Sequence, residues 1–246
     1  MREASRTFGD TVREGVLQVS GAGCRWLSTG FDGGFCEAEA AYNVSVPEGW
    51  SRTDLGAYVA ERRERAGFPE AGPALLTGVD LAHLRGARRG SVVAYATAGV
   101  SNPAALPVDG GGAAGGDATV DAHSDAGDDP PAGTVNLIVG TTRALDDAAA
   151  ATLLTVAAEA KAATLLAETG FPGTTTDAVV VGTDPAGESA RFAGSGTPVG
   201  DATRACVREA VRASLDSRYD GREVPGTVAE AEYGVVTGRR ADVFEP

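Results

Sequence analysis

The one lysine of the chain, Lys161, is the side chain whose position most suggests a chemical role, because every other basic residue is an arginine. At about 100° per residue, the apolar side chains of the surrounding helix fall on one arc; Lys161 lies inside that arc, whereas Glu159 points away from it. Burying an ammonium group is unfavourable unless the group is paired or used in chemistry. We therefore predict that Lys161 is a functional residue; the alternative is a lysine whose stem covers apolar surface while its ammonium group reaches water. The arc comprises Leu153, Leu154, Val156, Ala157, Ala160 and Leu165.

A carboxylate, Asp177, stands where it could meet that ammonium group. It follows three threonines and precedes an apolar run, residues 178–181, that is typical of a buried strand. An acidic residue at the start of a strand is usually a turn former. The connection between the helix of Lys161 and this strand is short, however, so the two elements must fold onto each other. Asp177 is therefore also a candidate partner of Lys161.

Three predicted strand ends are rich in glycine, threonine and asparagine. Residues 96–102 close one strand, residues 133–136 open another, and residues 173–177 open a third. Turns of this composition expose backbone N–H groups and short hydrogen-bonding side chains at close range. They suit a ligand covered with amides or phosphates, although they could equally be ordinary turns.

Several familiar sites are excluded by the residues present. A phosphate-binding P-loop needs Gly-Lys-Ser/Thr, but alanines flank Lys161. The two histidines, His83 and His123, are too few and too far apart in sequence for a multi-histidine metal site, and no G-x-S-x-G motif occurs. A Ser-His-Asp triad would depend on His83 alone, because His123 lies in the polar insertion described below.

These residues must be positioned by the surrounding strands and helices. The order of the predicted elements indicates an α/β fold, a single domain with a mixed β-sheet and flanking helices. Ser51 and Asp54 are spaced as a capping box at the start of the first helix, and Gly67 follows its end. Residues 85–90 are predicted to turn between two buried strands, and residues 220–246 to form a loose or edge extension. Strands are predicted at 12–19, 24–29, 37–46, 75–79, 91–98, 134–141 and 176–183, and helices at 52–66, 146–169 and 201–218.

Residues 107–133 differ in kind from the rest of the chain. They hold six Asp and seven Gly, with no Lys, Arg or Glu and almost no large apolar side chain. Such a segment cannot bury enough surface to offset the entropy of ordering it. We predict an Asp/Gly-rich surface insertion, which makes its His123 a poor catalytic candidate.

The chain is acidic, with a formal charge of −13. Such a surface repels phosphate backbones and has no basic run for a membrane surface, so we expect no nucleic-acid or membrane partner. Acidity with a single lysine is typical of proteins adapted to high salt, where salt screens the repulsion between carboxylates; a GC-rich genome would also favour arginine.

Three unpatterned cysteines make a disulfide framework improbable. The N-terminal residues lack an apolar signal-peptide core, and glycine and prolines interrupt the longest charge-free stretch, residues 91–108. These features predict a cytoplasmic protein.

Taken together, the motifs resemble the adenosylcobinamide amidohydrolase family of archaea and some bacteria. The resemblance covers roughly residues 20–215, in order, and the combination is more specific than any single motif. The Gly33-Gly34 turn and the Tyr42-Asn43 pair also stand where the family has equivalents. The motifs are Thr97-Ala-Gly-Val-Ser-Asn102, Gly133-Thr-Val-Asn136, Glu159-Ala-Lys161, Gly173-Thr-Thr-Thr-Asp-Ala178 and Phe192-Ala-Gly-Ser-Gly-Thr-Pro-Val-Gly200.

This resemblance implies an amidase of corrinoid salvage, which hydrolyses the amide joining aminopropanol to a propionate of the corrin ring. It implies no protein-bound metal and no cofactor, since cobalt enters only within the corrinoid substrate. Lys161 is then the candidate oxyanion stabiliser or proton donor, and Asp177 the candidate base for water. Because a corrinoid is rimmed with carboxamides, we infer that the substrate-binding residues are those that offer neutral hydrogen bonds or little steric bulk: Asn43, Gly99, Ser101, Asn102, Thr134, Asn136, Thr174 and Thr175.

Three alternatives stay open from the sequence. A covalent route through Ser101 or Thr134 is possible, but neither has an evident base nearby in sequence. A corrinoid-binding protein without hydrolysis would use the same loops, and an acyltransferase would need a second substrate. A homo-oligomer is possible.

Overall fold

The computed structural model of the chain describes residues 8–47, 50–108, 134–231 and 233–246. Within these residues the fold is α/β, with one mixed sheet of eight strands, three α-helices and a separate two-stranded pairing. Its elements are β1 (Gly9–Arg13), β2 (Val16–Ser28), β3 (Gly34–Ser45), α1 (Leu55–Arg65), β4 (Ala74–Thr77), β5 (Arg85–Arg89), β6 (Val92–Ala98), β7 (Ala104–Ala105), β8 (Val135–Ala144), α2 (Asp147–Thr169), β9 (Ala178–Ser189), α3 (Pro198–Arg218) and β10 (Val235–Val236).

The sheet order is β4-β3-β2-β9-β8-β6-β5, with β1 paired to β2. The β3–β4 and β8–β9 pairs are parallel, and the other pairs within the sheet are antiparallel. The predicted class, an α/β domain with a mixed sheet and flanking helices, is therefore confirmed. Most of the predicted insertion at 107–133, with His123, lies outside the described residues.

Successive side chains of the central strands point to opposite faces of the sheet, so the core has two parts, one on each face. Val92, Ala94 and Ala96 pack with α2 and α3 on one face, whereas Val93 and Tyr95 point to the other. That second face is covered by Leu17, Val19, Ala41 and Leu75, from the first half of β2, the second half of β3 and β4. The pairing register of β2 shifts between Ser20 and Cys24, which is where the strand bends to fold back over the sheet. Helix α1 covers the outer side of this folded layer through Tyr58 and Val59.

The predicted bounds of α2 are confirmed, whereas α1 and α3 are present but begin at other residues than predicted. Asp146 caps α2 by accepting a hydrogen bond from the Ala149 N–H at 2.8 Å, and Gly170 ends it at φ +78°. Helix α3 begins three residues earlier than predicted because Thr197 caps it, accepting from the Gly200 N–H at 3.1 Å. The capping box proposed for α1 is wrong: Asp54 makes no capping hydrogen bond, since Arg52 holds its carboxylate at 2.7 and 2.9 Å.

Two strand predictions also need correction. Residues 85–90 are predicted as a turn, but Arg85–Arg89 form the edge strand β5, which pairs antiparallel with β6 and packs Ala87 against the helical core. The turn itself is at Gly90, where φ is +56°. The strand predicted at 12–19 is interrupted by a hairpin turn at Glu14 and Gly15, both at positive φ, so its halves belong to β1 and β2.

Helix α2 is the one helix of the described ranges that is long and apolar enough to cross a membrane, with a mean hydropathy of 1.4 over the most apolar window. Half of that window is buried in the domain. Its inward side chains, among them Leu153, Ala157 and Leu165, belong to the core between the sheet and α3. The fold therefore uses α2 as a core helix.

Candidate active site

Three strand ends meet at one edge of the sheet. Strand β8 runs antiparallel to β6 and parallel to β9, so the end of β6 lies beside the starts of the other two. Backbone hydrogen bonds join the loops: Gly99 N–H to the Thr134 carbonyl at 3.1 Å, and Thr175 N–H to the Asn102 carbonyl at 3.2 Å. We call residues 97–102, 134–136 and 173–177 the site edge. It unites the three segments whose composition suggested a ligand.

Lys161 extends from α2 to this edge and forms an ion pair with Asp177. The two side chains are 11% and 10% exposed, so both charges are largely withdrawn from water. The pairing follows from the short return after Gly170, which carries the chain from the end of α2 to the start of β9 beneath it. The geometric part of the sequence prediction, a buried lysine with Asp177 as its partner, is confirmed.

The Asp177 carboxylate accepts four hydrogen bonds. Its Oδ1 accepts from the Val135 N–H at 2.9 Å and from the Thr174 hydroxyl, and its Oδ2 accepts from the Thr174 N–H at 3.1 Å and from Lys161 Nζ. A carboxylate offers about four acceptor positions, so each is occupied. A Cβ on Gly173 would lie 2.7 Å from Oδ2, so only glycine lets the carboxylate pack this close to the backbone. Asp177 is held in one orientation.

A buried amide pair supports the site edge from below. Asn136 Nδ2 donates to Asn43 Oδ1 at 3.0 Å and to the Leu76 carbonyl at 2.8 Å, and Asn43 Nδ2 donates to Thr97 Oγ1 at 3.0 Å. Asn43 and Asn136 are 2% and 1% exposed. These bonds tie the folded-back layer of β3 and β4 to β6 and β8. Sequence reasoning missed Thr97 as a member, although it opens the quoted motif 97–102.

Thr134 links the amide pair to the ion pair. Its hydroxyl donates to the Thr176 carbonyl at 2.8 Å and lies 3.3 Å from Asn136 Oδ1. The next residue, Val135, supplies a backbone N–H to Asp177. Thr134 is 3% exposed, so the structure places it within the scaffold of the site edge.

Ser101 and Asn102 carry polar atoms that lack partners. Asn102 Nδ2 donates to Thr175 Oγ1 at 2.7 Å, but Asn102 Oδ1 and Ser101 Oγ are buried and meet no hydrogen-bond partner among the described residues. Buried polar atoms without partners are rare, because each loses its hydrogen bond to water on folding. These two oxygens are therefore unused acceptor positions that a ligand N–H could fill. Thr175 is exposed beside them.

The far side of this loop is covered by the C-terminal part of the chain. Tyr233 N–H donates to the Ser101 carbonyl at 3.1 Å, and β10 pairs in parallel with β7. Gly99 packs closely, since a Cβ there would lie 2.9 Å from both Val79 Cγ2 and Arg218 Nε. Every predicted site residue is thus at the site edge or hydrogen-bonded to it. No group of three His, Cys, Asp or Glu side chains in the described part of the chain is placed to hold a metal ion.

Comparison with known proteins gives consistent matches. A family model described as adenosylcobinamide amidohydrolase matches residues 3–223. A Halobacterium salinarum protein with the name adenosylcobinamide amidohydrolase is 54% identical over 241 residues, which cover 97% of this chain and 100% of the relative. A Methanosarcina mazei protein with the same name is 28% identical over 203 residues, covering 78% of this chain and 90% of the relative. The family match spans all of the site edge.

Proposed function

The chain belongs to the adenosylcobinamide amidohydrolase family, and from this premise we propose that it hydrolyses the amide between aminopropanol and a propionate of the corrin ring. The products are aminopropanol and adenosylcobyric acid, which returns to cobalamin synthesis. One observation carries this function: the 54% identity that extends over 97% of the chain to a relative of that name. The enzyme is a hydrolase of a linear carbon–nitrogen bond.

The ion pair supplies the groups that amide hydrolysis requires. The reaction needs a base for the attacking group and positive charge for the oxyanion that develops on the carbonyl oxygen. We propose that Asp177 takes the proton of the attacking group and that Lys161 stabilises the oxyanion. An ammonium group has three donors, of which one meets Asp177, so two remain for substrate. Low exposure strengthens both interactions.

The loops above the ion pair suit a corrinoid. This ligand is broad and rimmed with carboxamides, so it needs many neutral hydrogen bonds and few bulky neighbours. We propose that Ser101, Asn102 and Thr175 bind its amide groups and that Gly99 keeps the loop close to the sheet. Thr134, Asn136 and Asn43 act on substrate binding through the position of these loops, because their own polar atoms are already paired.

We propose that the reaction uses no protein-bound metal or separate cofactor, with cobalt present only in the substrate. This proposal is supported by the chain's two histidines, which are too few for a multi-histidine site. The charge of −13 and the single lysine are typical of proteins adapted to high salt, and the 54% identical relative comes from Halobacterium salinarum. Both support a cytoplasmic enzyme that works in concentrated salt.

A direct assay tests this function. Chelator-treated protein is incubated with adenosylcobinamide in molar salt, and aminopropanol and adenosylcobyric acid are measured. We expect both products in equal amounts. Tight corrinoid binding with no aminopropanol released would instead favour a corrinoid-binding protein, and activity restored only by added metal would refute the metal-free proposal.

A further inference from the structure

We propose that Thr174 is the nucleophile of this reaction, so that the amide is cleaved through an ester between Thr174 and the corrinoid propionyl group. The inference rests on the proposed amidase function and names the attacking group within it. It starts from one contact: the Thr174 hydroxyl donates its hydrogen bond directly to the Asp177 carboxylate.

Thr174, Asp177 and Lys161 form a nucleophile, a base and an orienting group in series. Such a series is the structural signature of covalent catalysis: a hydroxyl within hydrogen-bond reach of a base that is itself oriented by a third group. Here Thr174 Oγ1 meets Asp177 Oδ1, and Lys161 holds Oδ2 of the same carboxylate. The Val135 N–H at 2.9 Å prevents the carboxylate from rotating. Thr174 keeps 8% of its surface exposed and adjoins Thr175 and Thr176, which face solvent.

The hydroxyls of Thr134 and Ser101, the two alternatives from the sequence, lack this arrangement. Thr134 Oγ1 donates to a backbone carbonyl, that of Thr176, and a carbonyl cannot take a proton at neutral pH. Ser101 Oγ meets no partner among the described residues, so no base adjoins it. Direct attack by water is the alternative. It would require the Asp177 carboxylate to accept a hydrogen bond from that water, but its four acceptor positions are already occupied. Of the four groups that donate hydrogen bonds to this carboxylate, the Thr174 hydroxyl is the one that is an O–H group.

The proposed steps balance in protons and electrons. Thr174 Oγ attacks the amide carbon while its proton passes to Asp177 Oδ1, and the carbonyl electrons move to the oxygen beside Lys161. When this tetrahedral species collapses, the carbon–nitrogen bond breaks and the leaving amine takes the proton from Asp177, which releases aminopropanol. Water then attacks the Thr174 ester, Asp177 takes a proton from that water and returns it to Oγ, and the acid is released.

The test is trapping of the ester. The enzyme is mixed with excess adenosylcobinamide and quenched with acid within one turnover, and intact-protein mass spectrometry looks for the added corrinoid acyl group. A parallel reaction contains hydroxylamine, which should divert the ester to a corrinoid hydroxamate. We expect both products from the wild type and from T174S, which keeps a hydroxyl. T174V should give neither and should lose turnover by at least about 10³-fold.

Controls separate a chemical from a structural role. Thr155, exposed on α2 and bonded only to its own helix at 3.1 Å, provides T155V as a matched loss of a hydroxyl with no expected effect. Aminopropanol released by the wild type with no adduct and no hydroxamate would overturn the nucleophile while leaving the amidase function intact, as would turnover by T174V within tenfold of the wild type. A wild type that releases no aminopropanol would overturn both.

Discussion

Replacing Lys161 with methionine separates the chemical role of the ammonium group from its role in stability. Methionine keeps an unbranched stem of similar length against the core and removes the charge. The Asp177 carboxylate then stays about 10% exposed with three donors instead of four, and without its only cationic partner among the described residues. We expect two effects, one on folding and one on turnover, and the structure sets the size of each.

For folding, breaking a buried ion pair costs about 3–5 kcal/mol when the remaining charge has no other support. Asp177 retains two backbone N–H donors and the Thr174 hydroxyl. We therefore expect a smaller loss, about 2–4 kcal/mol in the free energy of unfolding. In a domain of this size that corresponds to a fall of about 5–15 °C in Tm. For catalysis, losing one oxyanion-stabilising group lowers turnover about 10²–10³-fold.

The assay measures both quantities on Lys161→Met, on Asp177→Asn and on the double variant. Tm and urea midpoints are compared with the rate of aminopropanol release per folded molecule. Because the double variant leaves no unpaired charge, its loss of stability should be smaller than the sum of the single losses, by about 1–3 kcal/mol. Glu159→Gln is the matched control: it removes a charge from the exposed face of the same helix and should change stability by no more than about 0.5 kcal/mol.

Two results would refute the reasoning. Turnover per folded Lys161→Met molecule close to that of the wild type, together with a lower Tm, would make the ion pair purely structural. Additive losses in the double variant would show that Lys161 and Asp177 do not interact energetically, whatever their distance.

Three other predictions follow from the fold and the charge. With a net charge of −13, Tm should rise between about 0.1 M salt, where the Debye length is about 10 Å, and several molar salt; a flat profile would refute salt adaptation. Asn136→Ala should lower the free energy of unfolding by about 2–4 kcal/mol in urea titrations, because Asn43 Oδ1 and the Leu76 carbonyl lose their donor; a loss below about 0.5 kcal/mol would contradict this. Burial, and then the hydrogen bond to Asp10, raise the pKa of Tyr95. Since the tyrosine ionises at lower pH in the unfolded chain than in the folded one, stability should fall as pH rises above about 10. Tyr95→Phe should reduce that fall, as measured by Tm at a series of pH values.

The local part of the site could be predicted from sequence. Helical phase alone placed Lys161 on the buried side of α2, and its side chain is 11% exposed. The short connection from Gly170 to Asp177 left few places for the carboxylate other than beneath that helix. Both inferences depend on residues close in sequence, where chain geometry limits the possible arrangements.

The long-range part could not be predicted. Asn43 and Asn136 are 93 positions apart, and their contact depends on the bend in β2. Gly21 and Gly23 indicate a break in the strand at this point, but they do not indicate which distant segment the chain then meets. Strand β5 has a glycine and no large apolar side chain, which favours a turn, and it is a strand because it pairs with the edge of β6. The prediction of a capping box at Asp54 is wrong because Arg52 binds the carboxylate instead, and residue spacing alone does not indicate such a competing partner.

The position of β9 in the sheet has a consequence for how the molecule folds. This strand comes late in the chain, yet it lies between β2 and β8. Until residues 178–189 are available, both neighbours expose an unpaired edge, so the growing chain holds two open half-sheets that only a distant segment can join. Asp177 directly precedes that segment. The event that closes the sheet therefore also brings the carboxylate to Lys161 and Val135, and a chain that has not yet completed its core has no assembled ion pair either.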